Sequence, residues 1–386
     1  MIQGWSRLAS MFRKDDTELQ ARLADARRRA PTPVFWLFGR TQSGKTSIIK
    51  YFSGADDAEV GLGFRPCTRF SQMYPFPSAE APLLTFLDTR GLDEPGYDPE
   101  EDLREFDAKA HVIVATIKVM DHAQENLERH LRTIRAAKPD RPIILALTCL
   151  HEGYPQKQHP LPYPFKNTLY PDGLPKDLVR SIAAHQERFK GLVDDIVPID
   201  LTRPEEGFLE PNFGGEELRQ SILNHLPNAY RQTLLALDAT THEFRDAAMK
   251  TALPVILSYS TLAAGAGAIP VPFVDLLLIP AIQAKMVHAL ADVYGQPMTT
   301  ERFWEIASSL GTGVLARQAA REATKFIPGI GVAAGAALAW GLTFALGRAF
   351  CQYFQSIREG HIPDPTQLKQ MFEDELGRAG KFWKAG

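Results

Sequence analysis

The sequence predicts an α/β fold, a doubly wound and mainly parallel sheet, followed by an all-α hydrophobic helical domain. Three observations predict it. Short apolar runs alternate with helix-length stretches up to about residue 238. A glycine-framed loop joins the first of these runs to the helical stretch after it. Near residue 250 the composition turns apolar and rich in small residues, and the alternation stops.

Residues 15–30 read as a charged helix ending in Arg27, Arg28 and Arg29, and Pro31 and Pro33 stop it. VFWLF (34–38) is a continuous apolar run of strand length, as a parallel strand buried on both faces requires. LLTFLD (83–88), AHVIVATIKV (110–119), PIILALT (142–148) and DIVPID (195–200) supply further strands. An acidic helical stretch precedes the second of these, residues 122–137 read as helix, and 215–238 return to helix. Segment 151–175 carries too many prolines for a helix or central strand and reads as a long surface loop or insert. Three parts follow: an N-terminal helical segment over 1–30, the α/β domain over 31–238 and a helical domain over 239–386.

Bulk properties exclude several classes. With 386 residues, 45% hydrophobic and 23% charged, the chain is globular rather than disordered. A net charge of −3 gives no electrostatic case for nucleic acid. Cys67, Cys149 and Cys351 are too far apart for a zinc site or a disulfide framework, and a reducing cytoplasmic setting fits them. The first residues, MIQGWSRLASMFRKDD, lack the continuous apolar core of a secretory signal. Trp5, Leu8, Met11 and Phe12 form one helical stripe, either docked on a neighbouring domain or, with Arg7, Arg13 and Lys14, lying on a membrane surface.

The chemistry centres on Gly39-Arg40-Thr41-Gln42-Ser43-Gly44-Lys45-Thr46, with Ser47 following. The spacing GxxxxGK[ST] between a buried strand and a helix is that of a P-loop. Two glycines let the backbone wrap an anion, while loop N–H groups and the helix N-terminus point at it. Lys45 supplies charge to the β- and γ-phosphates and Thr46 a hydroxyl to Mg²⁺. Asp88 ends a strand and can hold Mg²⁺ through water. The Gly91 N–H can touch the γ-phosphate, and Thr68 in the loop GFRPCTRFSQMYPF (63–76) is the candidate switch residue sensing γ-phosphate and metal. A nucleoside triphosphate with Mg²⁺ is the expected ligand.

On GRTQSGKT, CTR and LDTRGL, taken in order, residues 33–230 resemble the translation-factor-related GTPases, in particular the Era-like and dynamin or interferon-inducible branches. The resemblance implies GTP as substrate, Lys45, Thr46, Thr68, Asp88 and Gly91 as nucleotide and magnesium residues, and guanine contacts from Thr148, His151 and Asp200. Two departures stand out. The guanine-reading motif [NT]KxD is here Thr148-Cys149-Leu150-His151, and one histidine cannot reproduce a bidentate carboxylate; Asp200 is a candidate for the missing reader. Leu92 follows Gly91 where a water-orienting glutamine stands in other such enzymes. Gln42 stands where potassium-stimulated relatives carry asparagine. Arg65, Arg69 and Arg90 are candidate charge donors or plain surface ion-pair partners. Slow basal turnover follows, raised by a homodimer through the nucleotide face or by a partner. A nucleotide-dependent scaffold with little hydrolysis, and an ATPase on the same fold, are the alternatives.

GAIPVPFVDLLLIPAIQAKMVHALADVYG (267–295) and FIPGIGVAAGAALAWGLTFALGRAF (326–350) resemble a domain of unknown function found in the bacterial inner-membrane protein YcjF and in GTPase fusions. The resemblance implies a membrane-linked architecture with no assigned chemistry. Segments 252–282 and 327–347 are the candidate membrane contacts. The second is an uncharged stretch long enough for about 30 Å of hydrocarbon. Small-residue helices also pack as buried hairpins, and a mean hydropathy of −0.18 is unlike that of a polytopic protein. Gly331, Gly335 and Gly341 permit close helix contact. Cytoplasmic placement, either free or at the inner membrane, is expected.

Overall fold

The computed structural model describes residues 17–54, 65–66, 71–89, 109–154, 158–202, 204–227, 230–231, 247–269, 275–296, 298, 331–360, 363 and 365–384. The chain divides into two compact units. One comprises Pro33–Phe76 and Leu84–Arg231, the other Met1–Thr32, Pro77–Leu83 and Gln232–Gly386.

The first unit is built on a seven-stranded sheet. Its strands are β1 (Val34–Gly39), β2 (Arg65–Pro66), β3 (Ser71–Phe76), β4 (Leu84–Thr89), β5 (Val112–Lys118), β6 (Ile143–Thr148) and β7 (Asp195–Pro198), in the spatial order β2-β3-β4-β1-β5-β6-β7. β4, β1, β5, β6 and β7 run parallel. β1 lies between β4 and β5 and is buried from Phe35 to Gly39. Its side chains alternate between two packed faces. Trp36 and Phe38 join Ile113, Ala115 and Ile117 in one core, and Phe35 meets Phe52 and Phe86 with ring centroids 6.2 and 5.7 Å away. Burying each such ring contributes about 2–3 kcal/mol. The helices of this unit are α2 (Lys45–Ser53), α3 (Glu125–Ala137), α4 (Lys176–Arg188) and α5 (Gly215–His225). α3 and α4 each bury one apolar stripe, Leu127, Leu131 and Ile134 on the one and Leu178 and Ile182 on the other. A two-stranded ladder pairs β8 (Asp200–Leu201) with β9 (Asn212–Phe213).

Two parts differ from the reading of the sequence. Residues 71–76, read as loop, form β3, antiparallel to both β2 and β4. Among the described residues only β4 lies beside this strand beyond Met73, and Pro75 lacks the N–H for a ladder bond. The proline-rich segment after β6, read as a long surface loop or insert, is partly packed into the unit rather than wholly at the surface. His159 and Phe165 are buried in it, and the Tyr163 hydroxyl donates to the Pro198 carbonyl at 2.8 Å. The helical stretch expected before β5 lies outside the described residues.

The second unit is helical: α1 (Thr17–Arg29), α6 (Ala247–Gly267), α7 (Asp275–Val293), α8 (Gly331–Arg358) and α9 (Pro365–Lys384). Its core takes residues from every helix, among them Leu23, Ile256, Ile282, Phe350 and Phe372, together with Ala81 and Leu83. Small residues allow close backbone approach. A Cβ at Gly265 would strike the Ala26 carbonyl of α1, and one at Gly267 would lie 2.8 Å from the Gly335 carbonyl; at Gly341 nothing lies within 4 Å. Glu80 ties its segment to three helices of the unit. Its carbonyl accepts from Arg27 Nε at 2.6 Å, and its carboxylate accepts from Tyr259 and Lys285, each at 3.4 Å. Among the described residues of this unit an ion pair is buried: Glu375 accepts from Arg348 Nε at 3.3 Å and from Gln352 at 2.8 Å. Among the described residues no helix is long and apolar enough to cross a membrane.

Candidate nucleotide site

β1 ends at Gly39 and α2 begins at Lys45, so five residues turn the chain from the sheet into a helix. Two glycines make that turn feasible for different reasons. A Cβ at Gly39 would lie 2.6 Å from the Thr116 carbonyl and 2.7 Å from Ser43 Oγ, and closer still to the Thr116 hydroxyl. No side chain fits there. Gly44 has φ 93°, in the left-handed region that other residues populate poorly. Gln42 adopts φ 60° as well, so the loop carries backbone strain at a non-glycine residue.

Polar contacts brace the loop from below. Ser43 Oγ donates to the Arg40 carbonyl at 2.8 Å and lies 2.6 Å from Thr116 Oγ1. The Thr148 hydroxyl, at the end of β6, lies 3.0 Å from the Ser43 carbonyl and 3.1 Å from that of Ile117. Arg40 pairs with Asp121 at 2.8 Å. The buried Lys45 ammonium reaches back across the loop to the carbonyls of Gly39 at 3.0 Å and Arg40 at 2.8 Å. Thr41, Gln42 and Thr46 are exposed, while Arg40 and Ser47 are partly so. A pocket opens beside the loop between Gln42, Ser43, Thr116, Lys118 and Asp121.

Asp88 sits on β4, in register with Leu37 of β1. Burial raises its carboxyl to about 6, against the Lys45 ammonium, which pulls it down. Its Oδ1 is buried and has no hydrogen-bond partner among the described residues. A buried carboxylate oxygen left without a partner is costly, and a cation is one remedy. The donor set fits Mg²⁺, which takes few protein ligands and keeps phosphate and water oxygens: the Asp88 carboxylate and the exposed Thr46 hydroxyl. Among the described residues no cluster of three histidine, cysteine or acidic side chains offers another metal site.

A third group lies past the carboxyl ends of β6 and β7. Cys149 has φ 55°, and burial pushes its thiol up to about 11, so it stays a neutral thiol. The His151 N–H donates to Asp200 Oδ2 at 2.7 Å, and the His151 Nδ1 lies 2.7 Å from the same oxygen. Asp200 is 3% exposed. Burial raises its carboxyl, and the contacts from His151 oppose that rise. His159 Nε2 stands 3.7 Å from Asp200, and its ring stacks on Phe213 with centroids 4.3 Å apart.

Thus Gly39–Ser47 and Asp88 adjoin β1 at the carboxyl end of the sheet, Thr148 braces the loop, and His151 and Asp200 form a separate pair. Thr68, Gly91, Leu92, Arg69 and Arg90 lie outside the described residues, as does the side chain of Arg65. Reasoning from the sequence did not single out Thr116, Asp121, His159 or Phe213. Thr116 reads as one more strand residue, and the other three carry no motif.

Residues 234–379 match the family described as "Domain of unknown function (DUF697)". The chain therefore carries a DUF697 domain. It comprises most of α6 to α9 and has no assigned chemistry. A curated relative, magnetosome membrane protein 22 of Magnetospirillum gryphiswaldense, is 31% identical over 110 residues, which make up 26% of this chain and 56% of that protein. The match thus spans little more than half the length of the relative. Structural neighbours are P-loop GTPases. LeoA, a bacterial dynamin GTPase from ETEC, is 13% identical with a TM-score of 0.39, covering 98% of this chain and 74% of its own. The G domain of the T. maritima FeoB iron transporter is 16% identical with a TM-score of 0.29, covering 50% and 98%. Translation elongation factor SelB from Methanococcus maripaludis is 17% identical with a TM-score of 0.30, covering 51% and 34%. Identities this low transfer no residue role.

Proposed function

We propose that the chain is a Mg²⁺-dependent guanine-nucleotide-binding protein that hydrolyses GTP slowly, with the nucleotide state read through its helical unit. One observation carries the proposal: a P-loop whose Gly39 and Gly44 admit no side chain, with Lys45 folded across it and the unpartnered Asp88 carboxylate oxygen one strand away. Loop N–H groups and the α2 N-terminus bind the phosphates, and Lys45 neutralises β- and γ-phosphate charge. Thr46 and Asp88 would hold Mg²⁺, with Thr68 as a further ligand by the resemblance, and the metal would supply charge to the phosphate oxygens. The resemblance assigns the Gly91 N–H to the γ-phosphate. Slow basal turnover follows from Leu92, which cannot orient water, and a homodimer through the nucleotide face, or a partner, would supply the missing group.

The test is a binding panel of GTP, GDP and ATP on the full chain with and without Mg²⁺, followed by single-turnover hydrolysis. Micromolar or tighter Mg²⁺-dependent GTP binding with slow cleavage is expected. Binding without cleavage leaves the scaffold reading, and tighter ATP binding leaves the ATPase reading, which the departure from [NT]KxD at 148–151 keeps open.

Membrane association of the helical unit is supported by the name of the magnetosome membrane protein relative. Flotation of the full chain with anionic vesicles tests it. Recovery in the bottom fraction with and without vesicles overturns it.

A further inference from the structure

The sheet itself tells where a nucleoside would go. Ligands of a parallel sheet sit beyond the carboxyl ends of its strands, at the point where the strand order reverses. Here that point is β1, with β4 on one side and β5, β6 and β7 on the other. Asp88, the metal carboxylate of the proposed function, is on the β4 side. The β4 side is thus taken up by metal and terminal phosphate. The nucleoside then extends over the ends of β5, β6 and β7, where the Thr148 hydroxyl touches the loop at Ser43 and where residues 149–153 and 200–202 lie.

The groups found there are unusual for reading a base. The residue after Thr148 is a neutral cysteine; the carboxylate of the following turn, Glu152, pairs with Lys118 at 3.4 Å, and position 151 carries none. In its place stands a histidine held by a carboxylate from another strand. One Asp200 oxygen takes both the His151 N–H and the His151 Nδ1, each at 2.7 Å. A carboxylate only accepts, so Nδ1 carries the hydrogen, and in the neutral ring Nε2 is left as an acceptor. The Asp200 side chain is 4% exposed and the His151 side chain 25%, so histidine, not aspartate, meets a ligand. The pair is rigidly backed: Asp200 is in the β8–β9 ladder opposite Phe213, on which His159 stacks.

We propose that His151, oriented by Asp200, reads the purine edge through the single acceptor Nε2, so that the site takes 6-oxopurine nucleotides without sensing the 2-amino group. This rests on the guanine-nucleotide reading above. One acceptor takes one N–H. Guanine and hypoxanthine both offer N1–H, whereas adenine presents a lone pair at N1. A carboxylate would take N1–H and N2–H together. One neutral hydrogen bond is worth roughly two- to tenfold in affinity, and a bidentate charged pair on the order of a hundredfold. His151 is therefore the specificity residue and Asp200 its positioning residue.

The experiment is a titration of GTP, ITP and ATP with Mg²⁺ into the full chain and into His151→Ala, His151→Gln and Asp200→Asn, with thermal melts as a folding control. Expected for the unaltered chain are GTP and ITP affinities within about threefold, both roughly tenfold tighter than ATP. His151→Ala brings the three affinities together with ATP binding little changed. His151→Gln keeps the preference, because its amide oxygen is an acceptor without help from Asp200. Asp200→Asn lowers the preference while GTP binding persists. GTP binding more than about thirtyfold tighter than ITP overturns the proposal, since two acceptors would then be at work. So does ATP binding as tight as GTP, or a His151→Ala variant that weakens all three equally. Failure of every triphosphate to bind the unaltered chain removes the nucleotide reading itself.

Discussion

The Thr148 hydroxyl lies 3.0 Å from the Ser43 carbonyl, which ties the end of β6 to the crest of the phosphate loop across 105 positions of sequence. The same hydroxyl reaches the Ile117 carbonyl at 3.1 Å. Its single proton is shared between two buried acceptors. Thr148→Val keeps the shape and removes the donor. The cost expected is about 1–3 kcal/mol, as for a buried acceptor left without a partner, read as a lower denaturation midpoint. GTP affinity should fall with it, because the loop loses its brace, while Thr148→Ser should recover most of both.

Asp88 gives a pH-dependent prediction with a definite sign. Its carboxyl is raised from 3.8 to about 6 by burial, so the folded protein holds that proton more tightly than the unfolded chain does. Below 3.8 the group costs nothing. The penalty sets in as pH rises towards 6 and is constant above it. Asp88→Asn removes the penalty. In chelator, the variant should therefore melt at a higher temperature than the unaltered chain at pH 7, and the gain should vanish near pH 4. In Mg²⁺ and GTP the order should reverse, because the amide carries no charge for the metal. A variant that melts lower at pH 7 in chelator would refute the assignment of Asp88 as an uncompensated carboxylate.

Gly39 has no room for a methyl group. The obstacles are three, the Thr116 hydroxyl, the Thr116 carbonyl and Ser43 Oγ, the last two 2.6 and 2.7 Å from where a Cβ would stand. Gly39→Ala should lower stability by about 1–3 kcal/mol, as overpacking does, and weaken nucleotide binding at least tenfold. Thr116→Ala in the same chain removes the hydroxyl, together with the γ-methyl, and leaves the carbonyl and Ser43 Oγ in place. Because the carbonyl stays, this second change should restore little, and full recovery would show that the side chain alone was the obstacle.

The fold was legible where one element declares itself. β1, β5 and β6 are continuous apolar runs because both of their faces are buried, and the loop after β1 declares itself by the spacing of Gly39, Gly44 and Lys45. β3 was hidden because it is antiparallel, short and interrupted by Pro75, so its period competes with turn signals. The His151–Asp200 pair was half legible. Both residues were named from the resemblance, but their relation, one aspartate oxygen taking two His151 nitrogens, depends on a contact over 49 positions that leaves no local pattern. His159 and Phe213 were illegible for the same reason. In the helical unit, apolar periodicity marks helices without fixing which polar residue pairs with which. Nothing in the sequence marks Arg348 and Glu375 as partners.

Those two charges are in fact 6% and 1% exposed, and their pairing decides how α9 is held on α8. Glu375 accepts from Arg348, Gln352 and Arg378, at 3.3, 2.8 and 3.0 Å, so its charge is well compensated. Desolvating both ions offsets most of their attraction, and removing one partner leaves the other buried and uncompensated. Glu375→Leu alone should therefore destabilise by about 3–5 kcal/mol, enough to loosen α9. The double change Arg348→Met with Glu375→Leu removes both charges at similar volume and should lie within about 1–2 kcal/mol of the starting chain. Proteolysis within 359–364, the segment between the two helices, reports the outcome. It should accelerate in the single variant and return close to the original rate in the double. Equal acceleration in both would mean that α9 is held by apolar contacts such as Leu368 and Phe372 rather than by the charge pair.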